Sequence, residues 1–321
     1  MNEPAAPGEE EGSQSTVTVV LAFVVNALIA IAKTIAAVVT GSASMVAEAA
    51  HSWADTGNEV LLLVADRRSR RPGDARHPLG YGRDAYIWSM FAALGLFAVG
   101  AGISITHGIQ ELIHPDEGTD FVVAYIVLAV AFVLESISFR QAYRQTRAEA
   151  RRAHTDVLSH AFHTSDPTVR AVFAEDAAAL VGLAIAACGI GIHQLTGVAA
   201  ADAVGSILVG ILLGVVSVLL ISRNRRFLIG EEVEGPIHDA VLANLLEQPE
   251  IERVTYLRME FLGPRQVFMV ASVDLAGNEP ESNSAATLRA LRARIETGHP
   301  QVRKAFLSLA TPDELSLATG D

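Results

Sequence analysis

Between Ser42 and Asp66 the chain reads SASMVAEAAHSWADTGNEVLLLVAD, small and apolar apart from a few polar residues. Glu48, His51, Asp55 and Glu59 stand at offsets of 3, 4 and 4. Residues three and four apart share one face of an α-helix, so the spacing predicts a helix with an acid–histidine stripe and an apolar back. One turn separates His51 from Asp55, which lets an imidazole nitrogen and a carboxylate oxygen converge on one cation. Zn²⁺ and neighbouring first-row ions accept both ligand types. The plainer alternative is a solvated stripe on a soluble helix, and the surroundings of the stretch decide between the two.

Those surroundings are greasy. The 321 residues are 50% hydrophobic, with positive mean hydropathy, as expected of a chain lying largely in lipid. Six stretches reach the roughly 20 apolar residues a bilayer crossing needs. They run near Ser15–Thr40, Ser42–Asp66, Ala85–Ile113, Asp120–Ala142, Ala171–Leu195 and Ala199–Ile221. The net charge of −12 argues against a nucleic-acid partner. Cys188, the single cysteine, excludes a disulfide framework and a multi-cysteine zinc site. Met1–Gln14 is acidic, with Gly and Pro, and reads as a disordered tail rather than a signal peptide.

The connections alternate in charge. Gly41, His114–Thr119 and Thr196–Gly197 carry no Lys or Arg, whereas Arg67–Arg83, Arg140–Arg170 and Arg223–Arg226 are rich in Arg. The positive-inside rule then puts both termini and the Arg-rich loops in the cytoplasm of a cell-membrane protein. Arg67, Arg68, Arg70 and Arg71 read as membrane-surface anchors. Asp166-Pro167 reads as a helix start, with Asp as cap and Pro in the first turn. His154, His160 and His163 in the same linker either collect metal or are simply solvated. The membrane domain occupies residues 15–230. Residues 231–312 form a small cytoplasmic α+β domain of order α-β-β-α-β, ferredoxin-like, followed by a tail at 313–321. Its expected elements are Pro236–Glu247, Ile251–Phe261, Gln266–Leu275, Ser284–Thr297 and Val302–Leu309.

Ionisable groups at membrane depth are costly and mark function. Asn26 and Lys33 lie in the first span, Glu135 in the fourth, and Glu175 with Asp176 in the fifth. Asp176 is the strongest partner for His51 and Asp55; with Glu175 these make up the three or four ligands of a tetrahedral site. Neighbouring residues on a helix diverge by about 100°, so only one of Glu175 and Asp176 is expected to face the ion squarely. Glu135 is open to three roles, a further ligand, a proton carrier or the counter-ion of Lys33, with the ion pair or a supporting role preferred; Glu48 and Glu59 are expected as acids lining the path. Metal ligands must be deprotonated, so binding a divalent ion releases protons, and one midplane site exposed alternately to each side makes a proton-coupled antiporter.

Taken together, GSASMVAEAAHSWADTGNEVLLL, HPLGYGRDAYIW, VGAGISITHGIQELIHP, DPTVRAVFAEDAAALVG and DAVGSILVGILLG resemble the cation diffusion facilitator family. The resemblance runs from the first span to about Thr311. It implies the six-helix fold of that family, a transport site with His51 and Asp55 matching its second-span pair, and Asp176 matching the Asp of its fifth-span pair. Val172 stands where many members have His, and Glu175 is offered instead. This resembles the branch that includes the mitochondrial-type zinc transporters. The resemblance implies export of zinc, with cobalt, manganese and iron as alternatives, no cofactor and no enzymatic activity. It also implies a homodimer joined through the C-terminal domain. That domain has only His238, His299 and Asp274 for a regulatory metal, which favours dimerisation alone. Two other classes remain: a metal sensor or scaffold without transport, and an intramembrane metalloenzyme, for which no HExxH is present.

Overall fold

The computed structural model of the protein describes residues 7–115, 120–152, 155–233, 235–277, 279–311 and 313–317, with side chains of the first helix from residue 23. Two compact units emerge: Met1–Val64 with Trp88–Arg223, and Ala65–Ile87 with Asn224–Asp321. The loop read as part of the membrane domain therefore groups with the C-terminal elements.

The helices run in the order α1 (Pro7–Thr40), α2 (Ala43–Ser69), α3 (Asp84–Gly95), a π-helical segment (Leu96–Ala101), α4 (Gly102–Ile113), α5 (Phe121–Arg152), α6 (Val157–His163), α7 (Pro167–Thr196) and α8 (Ala200–Leu228). Among the described residues five segments are long and apolar enough to cross a membrane: Phe23–Thr40, Asp84–Ile113, Phe121–Arg152, Pro167–Thr196 and Ala200–Leu228. These make the chain a multi-pass membrane protein. With 27 residues α2 has the length to cross, but its polar stripe keeps it outside that apolar set.

Helix α1 begins at Pro7, so only Met1–Ala6 of the expected tail lies outside the described residues. Proline at the first helical position, followed by Glu9, Glu10 and Glu11 near the positive end of the helix dipole, is a start signal. Gly41, at φ 67°, turns the chain from α1 into α2. At the start of α7, Asp166 accepts from the amides of Thr168 at 3.0 Å and Val169 at 3.5 Å, with Pro167 in the first turn, as the sequence predicts.

The first unit is built around α2. One apolar cluster joins Met45 and Ala49 to Ala37 of α1, Leu128 of α5 and Leu183 and Ile190 of α7. Another joins Ala47 and Ala54 to Leu96, Ala101, Ala178, Val209 and Leu213. Small residues dominate both, as close helix approach in a membrane requires. Polar clasps add to this: Trp53 Nε1 donates to Thr34 Oγ1 at 3.0 Å, and Ser44 Oγ donates to the Asp202 carbonyl at 2.9 Å.

In the second unit α9 (Pro236–Leu246), β1 (Ile251–Gly263), β2 (Gln266–Leu275), α10 (Glu281–Gly298) and β3 (Val302–Leu309) reproduce the expected order. β1 and β2 pair antiparallel and β2 and β3 parallel, in sheet order β1-β2-β3. Val254, Met259, Met269, Ala271 and Val273 face a core shared with Leu242, Leu245, Leu291 and Ile295. Residues 313–317 reach β1, where the Leu317 amide donates to the Val254 carbonyl at 2.7 Å.

The loop of this unit is held by ring and charge contacts. Tyr86 stacks on Phe227 at 5.0 Å, and Arg83 pairs with Glu260 at 2.5 Å. Arg70 pairs with Asp66 at 2.7 Å, and Arg71 lies over the Tyr81 ring. The Tyr81 hydroxyl, 2.7 Å from Asp74, holds that carboxyl down to about 2, helped by the His77 and Arg76 amides. A depressed folded-state value stabilises the turn above the ordinary carboxylate range, and that contribution is lost as pH falls through about 2. In a carboxyl NMR titration of the whole chain, Asp74 is expected to titrate near 2, and Tyr81→Phe to move it back towards about 4. An unshifted Tyr81→Phe titration would remove the hydroxyl as the cause.

Candidate functional site

The structure divides the stripe on α2 in three. Nearest the Gly41 turn, Glu48 is fully buried and pairs with Lys33 Nζ at 2.9 Å. His51 comes next, 1% exposed, with Nε2 3.3 Å from Asp55 Oδ2. Neither ring nitrogen of His51 has a hydrogen-bond partner. Asp55 and Glu59 then open onto a cavity of about 80 Å³.

That cavity gathers five carboxylates: Asp55 and Glu59 of α2, Glu135 of α5, and Glu175 and Asp176 of α7. Asn26 of α1 and Ser52, Asn58 and Ser138 complete its polar wall, while Ile29, Leu62 and Val172 form the apolar part. Among the described residues no Lys or Arg lines it. Three neutral donors steady the acids. Asn58 donates to Glu175, Ser138 donates to Asp176 at 2.8 Å, and Asn26 donates to Glu59 at 2.5 Å. One oxygen each of Asp55, Glu59 and Glu175 stays buried without a hydrogen-bond partner. Buried acceptors left without donors are costly, and a small divalent cation is the group that satisfies several at once. Oxygen-rich donor sets with one imidazole alongside suit Zn²⁺, Mn²⁺, Co²⁺ or Fe²⁺.

Several expectations change here. Lys33 pairs with Glu48, not with Glu135, and Glu48 lies in that closed pair rather than along the path; Glu135 faces the cavity instead. Lys33 and Glu48 sit on the two arms of the α1–α2 hairpin, a juxtaposition that the Gly41 turn creates. Both Glu175 and Asp176 line the cavity, together with residues of α1, α2 and α5. Their divergence lets one carboxylate meet Asn58 and the other Ser138.

His51, Asp55, Glu175 and Asp176 do not form one coordination shell as they stand. His51 is beside the cavity and not in its wall, and among the described residues no three His, Cys, Asp or Glu side chains are grouped closely enough to hold an ion. Carboxylates repel one another at short range, and three of these five are drawn to separate neutral donors.

Ser138 escaped the sequence reading, although it lies three residues from Glu135 and so on the same face. Of the linker histidines, His154 lies outside the described residues. His160 approaches Glu149 at 3.4 Å, and His163 contacts the Ser159 carbonyl at 2.8 Å. In the second unit Asp274 is held by Arg253 at 2.6 Å, His299 meets Asn244 at 3.2 Å and His238 meets Asp239 at 3.3 Å.

A family model described as the cation efflux transmembrane domain matches residues 19–229. The chain is 37% identical over 260 residues to the proton-coupled zinc antiporter SLC30A9, mitochondrial, of Xenopus laevis, covering 81% of this chain and 46% of that protein. It is 34% identical over 233 residues to metal tolerance protein C4 of Arabidopsis thaliana, covering 73% of this chain and 51% of that one. Magnetosome protein MamB of Paramagnetospirillum magneticum is 22% identical over 282 residues, with 88% and 89% covered. The chain thus spans about half the length of the first two of these relatives.

Proposed function

The chain belongs to the cation diffusion facilitator family, and from that premise we propose that it exports a divalent metal ion from the cytoplasm in exchange for protons. Zinc is the first candidate, ahead of cobalt, manganese and iron. The observation that carries the reading is the cavity of five carboxylates, with no Lys or Arg among its described lining, flanked by an imidazole without a hydrogen-bond partner among helices fit for lipid. Such a cavity is tolerable at membrane depth only if protons or a metal ion neutralise it. The two compete for the same oxygens, so metal entering from one side releases protons, and protons arriving from the other release metal.

In this reading Asp55 and Asp176 hold the ion, Glu175 contributes an oxygen, and His51 supplies nitrogen once its ring turns. Asn26, Glu59 and Glu135 line the way in. Helix α2 is the sixth span, carrying its polar face inward. The Arg-rich loops then lie in the cytoplasm with both termini, and the C-terminal unit joins two copies there. The protein is a transporter and not an enzyme.

The purified chain in vesicles, with a zinc-sensitive dye on the far side, tests this. Zinc flux is expected to rise with an imposed pH gradient and to lose that stimulation when a protonophore is added. Zinc binding without flux would replace transport by a sensing or scaffolding role.

A further inference from the structure

The chain contains two lysines, Lys33 and Lys304, and relies on arginine for its other positive side chains. Lys33 is 0% exposed. Its partner Glu48 is equally buried, and a Cβ at Gly182 would stand 2.9 Å from Glu48 Oε1, so the pair is packed among α1, α2 and α7. These three helices also wall the carboxylate cavity. Glu48 is seven residues from Asp55, about 10 Å along the helix.

Stability does not explain such a pair. Two apolar residues of similar volume generally hold helices at least as well as a buried ion pair does. Electrostatics gives it a use. A carrier must release its ion as well as bind it, and five carboxylates around 80 Å³ would hold a divalent cation too tightly. A fixed positive charge nearby lowers that affinity, and the carboxylate bracing it sets how much of the charge the site feels.

We propose that Lys33 is a resident counter-charge that sets the metal affinity of the cavity, with Glu48 as the brace that holds and partly masks it. This rests on the metal-transport reading above. Lys33 acts here as a positioning charge and touches no metal ligand.

The test is zinc titration calorimetry on the full-length protein in detergent, paired with zinc flux in vesicles. Wild type is measured first beside Asp55→Ala; if wild type binds no zinc, or Asp55→Ala binds it unchanged, the transport reading fails and not this inference. Given a binding wild type, Glu48→Gln unmasks the ammonium and is expected to weaken zinc binding about tenfold. Adding Lys33→Met to that variant is expected to restore the affinity. Lys33→Met alone is expected to bind more tightly and turn over more slowly, a split that damaged packing would not give. The proposal is overturned if the double variant binds no better than Glu48→Gln, or if Glu48→Gln leaves the affinity unchanged or raised. Should Glu48→Gln not fold, Lys33→Met carries the test, and unchanged or weaker zinc binding there overturns it.

Discussion

Asp55→Ala and Asp176→Ala are each expected to abolish zinc flux, by at least about a hundredfold, while leaving the protein folded. The magnitude follows from removing a charged ligand from a desolvated site, where breaking one strong electrostatic contact costs about 3–5 kcal/mol and each 1.4 kcal/mol is a factor of ten. Folding is expected to survive because Asp55 pairs only within α2, and the link of Asp176 to α5 is one hydrogen bond from a neutral hydroxyl. Asp55 has one oxygen without a hydrogen-bond partner, and Asp176 is engaged only by the Ser138 hydroxyl. Removing one of five acids that crowd a single cavity also relieves repulsion in the metal-free protein. Glu175→Gln is the informative contrast. Glu175 accepts a hydrogen bond from Asn58 and keeps its other oxygen without one, so the variant weakens zinc binding if that oxygen is a ligand and leaves it unchanged if it is not. Flux at the wild-type rate in either alanine variant would mean that the ion passes elsewhere.

Gly210→Leu and Gly108→Leu form the second large expectation, and here the loss is of the folded protein itself. A Cβ at Gly210 would stand 2.6 Å from Ile105 Cγ1, 3.0 Å from the Ile105 nitrogen and 3.1 Å from the Ala101 carbonyl oxygen. One at Gly108 would stand 2.7 Å from the Ala203 carbonyl oxygen. Much of what it meets is backbone, which cannot rotate away, so α4 and α8 must separate. Overpacking of this kind costs about 1–3 kcal/mol where side chains yield and more where they do not. Gly57 is the control, since nothing lies within 4 Å of a Cβ there. Size-exclusion profiles and thermal unfolding in detergent are expected to show Gly57→Ala close to wild type and both leucine variants aggregated or strongly destabilised. Wild-type melting of Gly210→Leu would show that the two helices do not pack at this point.

Much of the molecule was legible in the residues. Length and hydropathy located the apolar spans, since a bilayer crossing requires a run of fixed length whatever its neighbours are. Asp166-Pro167 announced the start of α7 because the cap is a local hydrogen-bond requirement. The bounds of β2 and β3 came out as expected, at Gln266–Leu275 and Val302–Leu309. The acids of the cavity could be named one by one, because charge at membrane depth is expensive enough to need a reason.

Partnership could not be read in the same way. That Lys33 takes Glu48 and leaves Glu135 to the cavity, that Ser138 reaches Asp176, and that His51 stands beside the cavity wall depend on the register between helices. A helix fixes which of its own residues share a face, because its period is set by local backbone bonds. How far two helices slide and turn against each other is set by side-chain volumes at many positions far apart in sequence, as at Gly108, Gly182 and Gly210. The sequence by itself therefore determined the chemistry available and the elements that carry it, and only tertiary packing decided which groups meet.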